Sequence, residues 1–351
     1  MLDQTHLFAA VAGYVGKPDA AGAVGIFRRP AAAGGSWSQV LEAPECHYVM
    51  VHPANPDLVF AGTDDGVYRS TDKGTTFART SFPDAGQQIW CIHVDPRDPK
   101  RMYAGASPIG VYLSEDEGAS WRALPNPGMP ERCKGPFESR VMRLAQNPAN
   151  PDQIFAALEI AGAMVSNDSG ESWTDCSHHL VALSEQPAYS SKIVSDTFAE
   201  GMLDGHAMAI APAQPARPVL ACRMGLFDTA NQGQDWRDMQ VGRYSPTTYA
   251  RDIRQAPGAD STLYAALSVA AASEDGGLYR SDDAGDTWRR FDKVQVHGTI
   301  MSVGLHAHDP NQVYLGARYN GEVFGTQDGG ETWTGLSIPG EVKDIYCVAC
   351  G

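Results

Sequence analysis

Short stretches of alternating apolar and polar residues recur along the whole chain, separated by turns rich in glycine, proline and aspartate. Residues 90–121 show one complete unit: an apolar run that ends at an Asp-Pro turn, two further runs at 101–105 and 111–114, and a last turn before Trp121. Runs of β-branched and aromatic residues with a period of two are typical of β-strands. The unit therefore predicts four antiparallel strands, named A to D in chain order.

The turn between strands C and D is a recurring eight-residue phrase with the pattern Ser/Thr-x-Asp/Asn-x-Gly-x-Thr/Ser/Asp-Trp/Phe. Six copies begin at Ser70, Ser114, Ser166, Thr229, Ser281 and Thr326, and a degenerate seventh occupies residues 30–37. Copies spaced about 40 to 60 residues apart indicate a repeat protein with one propeller blade per copy. The pattern predicts an all-β fold, a seven-bladed β-propeller that forms one domain over residues 1–351.

Each conserved position of the phrase has a structural explanation as a hairpin turn. The Asp side chain can accept hydrogen bonds from backbone N–H groups of its own turn, and the Gly can adopt a positive φ. The Trp can bury its ring against the blade. We therefore interpret the phrases as folding devices and not as catalytic sites. One short acidic loop also supplies too few oxygen ligands for calcium, which takes about six to eight.

The phrase resembles the Asp-box, and the chain resembles the BNR/Asp-box propellers over nearly its whole length. That group includes sialidases, xyloglucan-cleaving glycoside hydrolases, the photosystem II assembly factor family and the sortilin ectodomain. The resemblance implies the propeller fold, with ligands bound at the top, over the central channel. It is weakly specific for function, because one fold hosts many activities.

Composition narrows the function classes. A net charge of −15 argues against nucleic acid and anionic membranes as partners. The sequence has no run of about 18 apolar residues, and residues 1–6 lack the features of a signal peptide. The seven cysteines are an odd number without C-x-x-C spacing. A reduced, cytoplasmic protein fits these features, with a secreted protein whose leader was trimmed as the alternative.

The chain begins partway through the repeat. Residues 7–13 match strand B and residues 24–27 match strand C, while a strand A without a blade of its own stands at the other end, at about 343–350. We therefore expect the C-terminal strand to complete blade one beside the N-terminal strands. Such pairing closes the ring and leaves no open sheet edge.

Two layers of inner-strand residues are predicted at the top mouth of the channel, by counting back from the proline of each A–B turn. Eight residues before the proline, the side chains are all polar: Glu45, Gln88, Arg140, Asp204, Tyr249 and Ser302, with Lys343 added from the C-terminal strand. Six residues before it stand His47, Trp90, Met142, His206, Arg251 and Gly304. Polar groups that meet channel water are one explanation, and a binding site is the other.

The first version of that site is a metal centre. His47, His206 and His297 could supply neutral imidazoles, and Glu45 or Asp204 a carboxylate, to one divalent ion. These residues come from different blades, so sequence spacing does not test the assignment. A histidine that is only a hydrogen-bonded wall residue is the alternative for each position.

The second version is an anion pocket. Arg223 and Arg318 follow strand B of blades five and seven, and Arg140 and Arg251 lie at strand A mouths. Arginine recognises carboxylate and phosphate through two parallel hydrogen bonds. The chain contains the types of side chain that a sialidase site needs. Sialidases, however, resemble six-bladed propellers, and this chain has seven repeats. Xyloglucan-cleaving enzymes match in blade number, but use two propellers with a cleft between them.

These observations leave two functional hypotheses. The first is an enzyme, a hydrolase or lyase, with a top-face pocket for a polar small molecule or saccharide. His206, His47 and Tyr249 would be catalytic; the substrate-binding residues would be Arg140, Arg251, Arg223, Arg318, Trp90, Glu45 and Asp204. The second is a non-catalytic scaffold that binds a protein partner. The sequence contains no Gly-x-Ser-x-Gly, phosphate-loop or His-Glu-x-x-His motif that would select another mechanism.

Overall fold

The computed structural model describes residues 5–13, 19–318 and 321–351, which form seven four-stranded antiparallel sheets around a central channel. In chain order the first fourteen strands are β1 (His6–Ala12), β2 (Gly25–Pro30), β3 (Ser38–Leu41), β4 (Cys46–Val51), β5 (Val59–Thr63), β6 (Gly66–Ser70), β7 (Ala78–Arg79), β8 (Gln88–Val94), β9 (Met102–Ser107), β10 (Gly110–Ser114), β11 (Arg122–Ala123), β12 (Arg140–Asn147), β13 (Asn150–Glu159) and β14 (Gly162–Ser166).

The remaining strands are β15 (Thr174–Asp175), β16 (Gly205–Ile210), β17 (Pro218–Cys222), β18 (Gly225–Asp228), β19 (Arg237–Asp238), β20 (Tyr249–Gln255), β21 (Leu263–Ser268), β22 (Gly276–Ser281), β23 (Arg289–Arg290), β24 (Ile300–Leu305), β25 (Val313–Ala317), β26 (Val323–Thr326), β27 (Thr334–Gly335) and β28 (Asp344–Cys350). Two short helices, α1 (His178–Leu183) and α2 (Glu200–Leu203), and a 3-10 turn (Val241–Arg243) lie in connections. Within the described residues, no helix is long and apolar enough to cross a membrane.

The C-terminal strand closes the ring as predicted. Strand β28 pairs antiparallel with β1, and the first sheet has the order β28-β1-β2-β3. Backbone hydrogen bonds between His6 and Gly351 extend this pairing by one residue. The seven-bladed propeller predicted from the repeats is confirmed, and both ends of the described chain lie in blade one.

The repeated turn phrases form the lower rim of the blades, and their hydrogen bonds follow the predicted scheme. In the third blade, the N–H of Ser120 donates to Asp116 Oδ1 at 2.9 Å, and the N–H of Gly118 donates to Ser114 Oγ at 2.8 Å. The glycine has a positive φ, as in Gly74 at 71°. The residue before it is also left-handed, which the sequence did not indicate: Lys73, Glu117, Ser169, Gln232 and Ala284 all have φ between 57° and 60°.

Adjacent blades pack through small residues on strand B and large residues on the neighbouring blade. A Cβ added to Gly105 of β9 would lie 2.6 Å from Val141 Cγ1 of the next inner strand, so glycine permits this close approach. Tyr103, Tyr264 and Tyr314 are fully buried. This packing holds each inner strand at a fixed distance from the channel axis.

Every inner strand contains a β-bulge near its upper end. The register shift falls at the same place in β4, β8, β12, β16, β20, β24 and β28. A bulge leaves one residue outside the ladder and re-aims its side chain. The seven bulged residues are His47, Trp90, Met142, His206, Arg251, Met301 and Tyr346. We call this set the bulge ring.

Candidate functional site

The bulge ring closes the channel around a cavity of about 20 Å³, which all seven of its side chains line together with Tyr48 and Arg143. The ring of His47 stacks on Trp90, with ring centres 4.0 Å apart. Tyr346 meets both rings edge-on at 5.7 Å. Ligand pockets usually offer about 300–1,000 Å³, so the ring is a packed layer that leaves no space for a sugar.

The sequence register identified five members of this ring and was wrong for blade seven. It placed Gly304 in the layer, whereas Met301 occupies it. The reason lies in the turn: the N–H of His306 donates to Gln312 O, as the N–H of Asp95 donates to Arg101 O in blade three. Pro310 therefore corresponds to the second proline of the blade-three turn, Pro99, and the count began three residues too late.

A charged network lies in contact with the bulge ring. Glu159, at the end of β13, receives a hydrogen bond of 3.0 Å from Arg251 Nη1, and its other oxygen lies 3.1 Å from Arg140 Nε. The Arg140 guanidinium is sandwiched between Trp90, at 3.9 Å, and Phe137, at 3.7 Å. All three charged groups are buried. Charge pairing and stacking together fix Arg140 in one position.

The second half of the network centres on Asp204. Its Oδ2 lies 2.6 Å from Arg223 Nη2 and 3.3 Å from His206 Nε2. His206 Nδ1 lies 2.8 Å from the carbonyl oxygen of Ala250, which can only accept, so Nδ1 donates this hydrogen bond. The Tyr249 hydroxyl lies 3.4 Å from His206 Nε2. The hydrogen bond from Nδ1 orients the His206 ring so that its Nε2 faces both a carboxylate and a phenol.

Burial and the neighbouring positive charges shift the pKa values of the two carboxylates of this network, Glu159 and Asp204, in opposite directions. Burial would raise the pKa of Glu159, but Arg140 and Arg251 outweigh it and hold the pKa below its usual range. Burial likewise opposes ionisation of Asp204, yet His206 and Arg223 keep its pKa well below normal. Both groups are therefore ionised at neutral pH and cannot donate a proton as general acids.

Burial shifts the pKa values of two other residues predicted to transfer protons, His47 and Tyr249, in opposite directions, and in both it favours the neutral form. Burial, with a smaller contribution from Arg140, lowers the pKa of His47 to about 3, so that imidazole is neutral at pH 7. Burial raises the pKa of Tyr249 above its ordinary value. His47 is therefore not protonated as a general acid would be. Its stacking against Trp90 is that of a residue that only lines the cavity.

The other predicted site residues lie at the edges of the network or outside it. Arg318 is buried, with Nε 3.8 Å from Asp344 Oδ2 and its guanidinium over the ring of Tyr346. Glu45 pairs with Lys343 at 3.2 Å. His297 is 72% exposed and pairs with Glu322, so it does not join His47 and His206.

The predicted metal centre of three histidines is therefore not assembled. Among the described residues, the group whose ligand atoms come close enough together to hold an ion is Glu159, Asp204 and His206. Three arginines, Arg140, Arg223 and Arg251, already bind its two carboxylates. A divalent cation placed there would face three guanidinium groups at short range, so the donor set does not fit a metal ion.

A wider space lies on the other side of Phe137. A trough of about 840 Å³ is lined by residues of the connection from β11 to β12, including Glu131, Lys134, Phe137 and Glu138, and by Ile160. Ile160 directly follows Glu159, and Phe137 covers Arg140. The trough is thus separated from the charged network by one layer of side chains.

The second long connection, from β15 to β16, packs against the first. Arg132 forms an ion pair with Asp175, and Cys133 packs against Ala199 and Leu203. The carboxylate of Glu200 accepts hydrogen bonds from the backbone N–H groups of residues 193–195. The connection is therefore ordered by internal contacts, and it supports the wall of the trough.

The family described as Sortilin-Vps10 (sortilin, neurotensin receptor 3) matches residues 65–198 of this chain. Among curated proteins, the chain is 26% identical to a xyloglucanase of Hypocrea jecorina, over 87% of this chain and 40% of that protein. It is 28% identical to an oligoxyloglucan-reducing end-specific xyloglucanase of Emericella nidulans, over 37% of this chain and 17% of that protein. The chain thus spans less than half the length of these relatives.

Solved structures with the same fold include a GH74 xyloglucanase from Xanthomonas campestris, with a TM-score of 0.61, 18% identity, and coverage of 83% of this chain and 45% of that one. YCF48 from Cyanidioschyzon merolae has a TM-score of 0.58 at 13% identity, with coverage of 88% and 90%. At such identities the likeness concerns the propeller fold alone. The relatives are β-propeller proteins, and several are glycoside hydrolases.

Proposed function

We propose that this chain acts on a saccharide by glycosidase-like hydrolysis, with the sugar bound in the trough beside the channel mouth. The observation that carries the proposal is the trough itself: about 840 Å³, with an aromatic ring and two carboxylates on its wall. Its volume lies within the usual range for ligand pockets. The similarity to xyloglucanases over 87% of the chain supports a saccharide as the substrate class.

Glycosidases use two carboxyl groups, one of which donates a proton to the leaving oxygen. Glu159 and Asp204 do not meet that need, because both are buried, ionised and held by arginines. Glu131 and Glu138 line the trough and are exposed to solvent. We therefore assign the acid and base roles to Glu131 and Glu138, with Phe137 between them and the network as a stacking surface for a sugar ring.

The charged network would then hold the wall of the trough in place. Glu159 fixes Arg140, and Arg140 supports Phe137 from below at 3.7 Å. The sequence-based assignment of proton transfer to His206 and Tyr249 stays a prediction. It requires Phe137 and Arg140 to move aside, since the cavity at the ring holds about 20 Å³.

The test measures reducing ends released from xyloglucan and from a panel of other polysaccharides by the full chain and its variants. We expect Glu131→Gln and Glu138→Gln each to lower kcat by at least about 100-fold, the usual contribution of acid–base groups. Glu171→Gln, in an exposed lower-rim turn, is the matched control and should retain full activity. Activity that survives in both trough variants would refute the assignment.

A further variant separates the two possible reaction centres. His206→Asn leaves the trough carboxylates in place and removes the proton carrier of the network. Retained kcat in His206→Asn together with loss in Glu138→Gln supports the trough. The opposite pattern would place the chemistry at the bulge ring and return Tyr249 and His206 to the catalytic roles.

Two finer assignments accompany the proposal. The turn phrases and their hydrogen bonds support membership of the BNR/Asp-box propellers. Metal assistance receives no support from the donor set, because arginines occupy its carboxylates. Elemental analysis of the purified protein should therefore find well below one equivalent of any transition metal, and a full equivalent lost in His206→Ala would overturn this view.

A non-catalytic scaffold is the second candidate, and one observation favours it. Ile193, Val194 and Phe198 are 53%, 64% and 62% exposed on the loop that Glu200 holds in place. Exposed apolar side chains on an ordered loop are typical of protein contacts. No turnover on any saccharide, together with pull-down of a partner lost in Phe198→Ser, would favour the scaffold.

A further inference from the structure

The cavity inside the bulge ring has a cationic lining. Two arginines, Arg143 and Arg251, and two histidines, His47 and His206, are among the residues that line it. Among the described residues that line it, none carries a carboxylate. A cavity of about 20 Å³ has room for a single small particle, since one water needs roughly 10–15 Å³. Its polarity and size together favour one small, electron-rich occupant.

Two lining residues present buried polar atoms with no protein partner in the described part of the chain. These atoms are Nε and Nη1 of Arg143 and both ring nitrogens of His47. The remaining donor of Arg143, Nη2, lies 3.3 Å from Asp252 Oδ1. Buried donors are almost always satisfied in folded proteins. Arg143 and the neutral imidazole of His47 can therefore both donate to an acceptor in the cavity.

The ion pairs around the channel leave a surplus of positive charge. Five guanidinium groups share three carboxylates: Arg140 and Arg251 bind Glu159, Arg223 binds Asp204, and Arg143 and Arg254 bind Asp252. Two positive charges within this set therefore lack a counter-charge, although the whole chain carries −15. Uncompensated charge in a protein interior is costly.

We propose that the cavity binds one monatomic anion, a halide such as chloride, held by Arg143 and His47. The small volume favours a monatomic ion over a polyatomic anion such as sulfate, and the cationic lining disfavours cations. A bound halide accepts hydrogen bonds from the buried donors and offsets one of the two surplus charges. It contacts residues from several blades at once, so its binding stabilises the closed ring. This inference is independent of the saccharide proposal.

The direct test is a crystal of the wild-type protein grown with sodium bromide, measured at the bromine absorption edge. We expect an anomalous peak inside the ring within hydrogen-bond distance of Arg143. Bromide peaks confined to the protein surface, or only a non-anomalous water peak in the cavity, would overturn the proposal.

The second test follows Tm as chloride replaces gluconate at constant ionic strength. Binding to the folded state alone predicts a saturable rise of roughly 2–5 °C. Arg143→Met should abolish this rise. Arg254→Met is the matched control, because Arg254 binds the same Asp252 at 2.8 Å but does not line the cavity. A rise that is linear in chloride, or equal in both variants, contradicts the proposal.

A third variant covers the case in which Arg143→Met does not fold. His47→Phe keeps an aromatic ring against Trp90 and removes both ring nitrogens. We expect at least a tenfold higher chloride midpoint in the same titration. An unchanged midpoint would show that His47 does not touch the anion, and with it the proposed binding geometry would fail.

Discussion

The lower rim repeats one turn sequence around the propeller, whereas the residues of the bulge ring differ between blades. At the rim, six turns repeat one hydrogen-bond scheme, as shown by Asp72, Asp116, Asp168, Asn231, Asp283 and Asp328. In the ring, seven equivalent bulges hold two histidines, two methionines, a tryptophan, an arginine and a tyrosine. The rim therefore maintains the fold by redundancy, while the ring and its network depend on individual residues.

The largest effect should come from breaking the closure on which both regions depend. Deleting residues 344–351 removes β28, which pairs with β1 and supplies Tyr346 to the ring. We expect loss of cooperative unfolding, followed by circular dichroism during heating. Deletion of Gly351 alone is the control and should lower Tm by a few degrees at most. A truncated protein with the Tm of the full chain would contradict the closure.

The network should be sensitive to single substitutions. Glu159→Gln leaves Arg140 and Arg251 buried without their shared counter-charge, so we expect a loss of about 3–5 kcal/mol in the free energy of unfolding at pH 7. Glu331→Gln is the control at an exposed pair with Lys293. There the loss should stay below about 1 kcal/mol. Urea unfolding measures both values.

The stability difference between wild type and Glu159→Gln should depend on pH. The folded-state pKa of Glu159 is lowered, so its contribution is present above the unfolded value of about 4.3 and is lost as pH falls through the folded pKa. The stability gap between wild type and Glu159→Gln should therefore narrow below about pH 4. A gap that stays constant would show that Glu159 is not ionised in the folded protein.

His47 provides a smaller effect of the same sign in a higher pH range. Its pKa is about 3 in the folded protein and about 6.5 when unfolded, so the unfolded state binds more protons between these values. Stability should consequently fall by about 2 kcal/mol from pH 7 to pH 5 through this group. His47→Phe should flatten that part of the curve, whereas His297→Asn, at an exposed position, should not. Parallel curves for wild type and His47→Phe would refute the assignment.

The smallest effect should come from one turn of the redundant rim. Asp168 accepts hydrogen bonds from Ser166 Oγ and the N–H of Ser172. Asp168→Ala should cost about 1–2 kcal/mol, as the loss of a helix cap does. Asp168→Asn should cost less than about 0.5 kcal/mol, because Asn231 fills the same role in another copy. Equal costs for the two variants would mean that the negative charge, and not the acceptor, matters.

The contrast between the regions also explains how far the sequence could be interpreted. The rim and the closure were predictable because local turn chemistry repeats at a regular spacing. Five ring residues followed from counting back from a proline, but Met301 did not, since the turn of blade seven uses its second proline position. The partners in the network could not be predicted, because Arg251 and Glu159 lie 92 residues apart and meet only in the folded ring.

The trough was outside the reach of pattern analysis for a related reason. Its volume depends on how Phe137 folds back over Arg140, and on the ion pair of Arg132 with Asp175 that ties the two long connections together. Neither contact has a periodic signature. The sequence predicted a site at the top face only as a region, and the histidines and arginines that it singled out, His47, His206, Arg140 and Arg251, are buried in the structure.

The most direct measurement is the crystal structure of the Glu138→Gln variant soaked with a xyloglucan oligosaccharide. We predict sugar density in the trough, with one ring against Phe137 and the bulge ring unchanged below it. Density that reaches His206 through a displaced Phe137, or sugar bound only outside the trough, would contradict it.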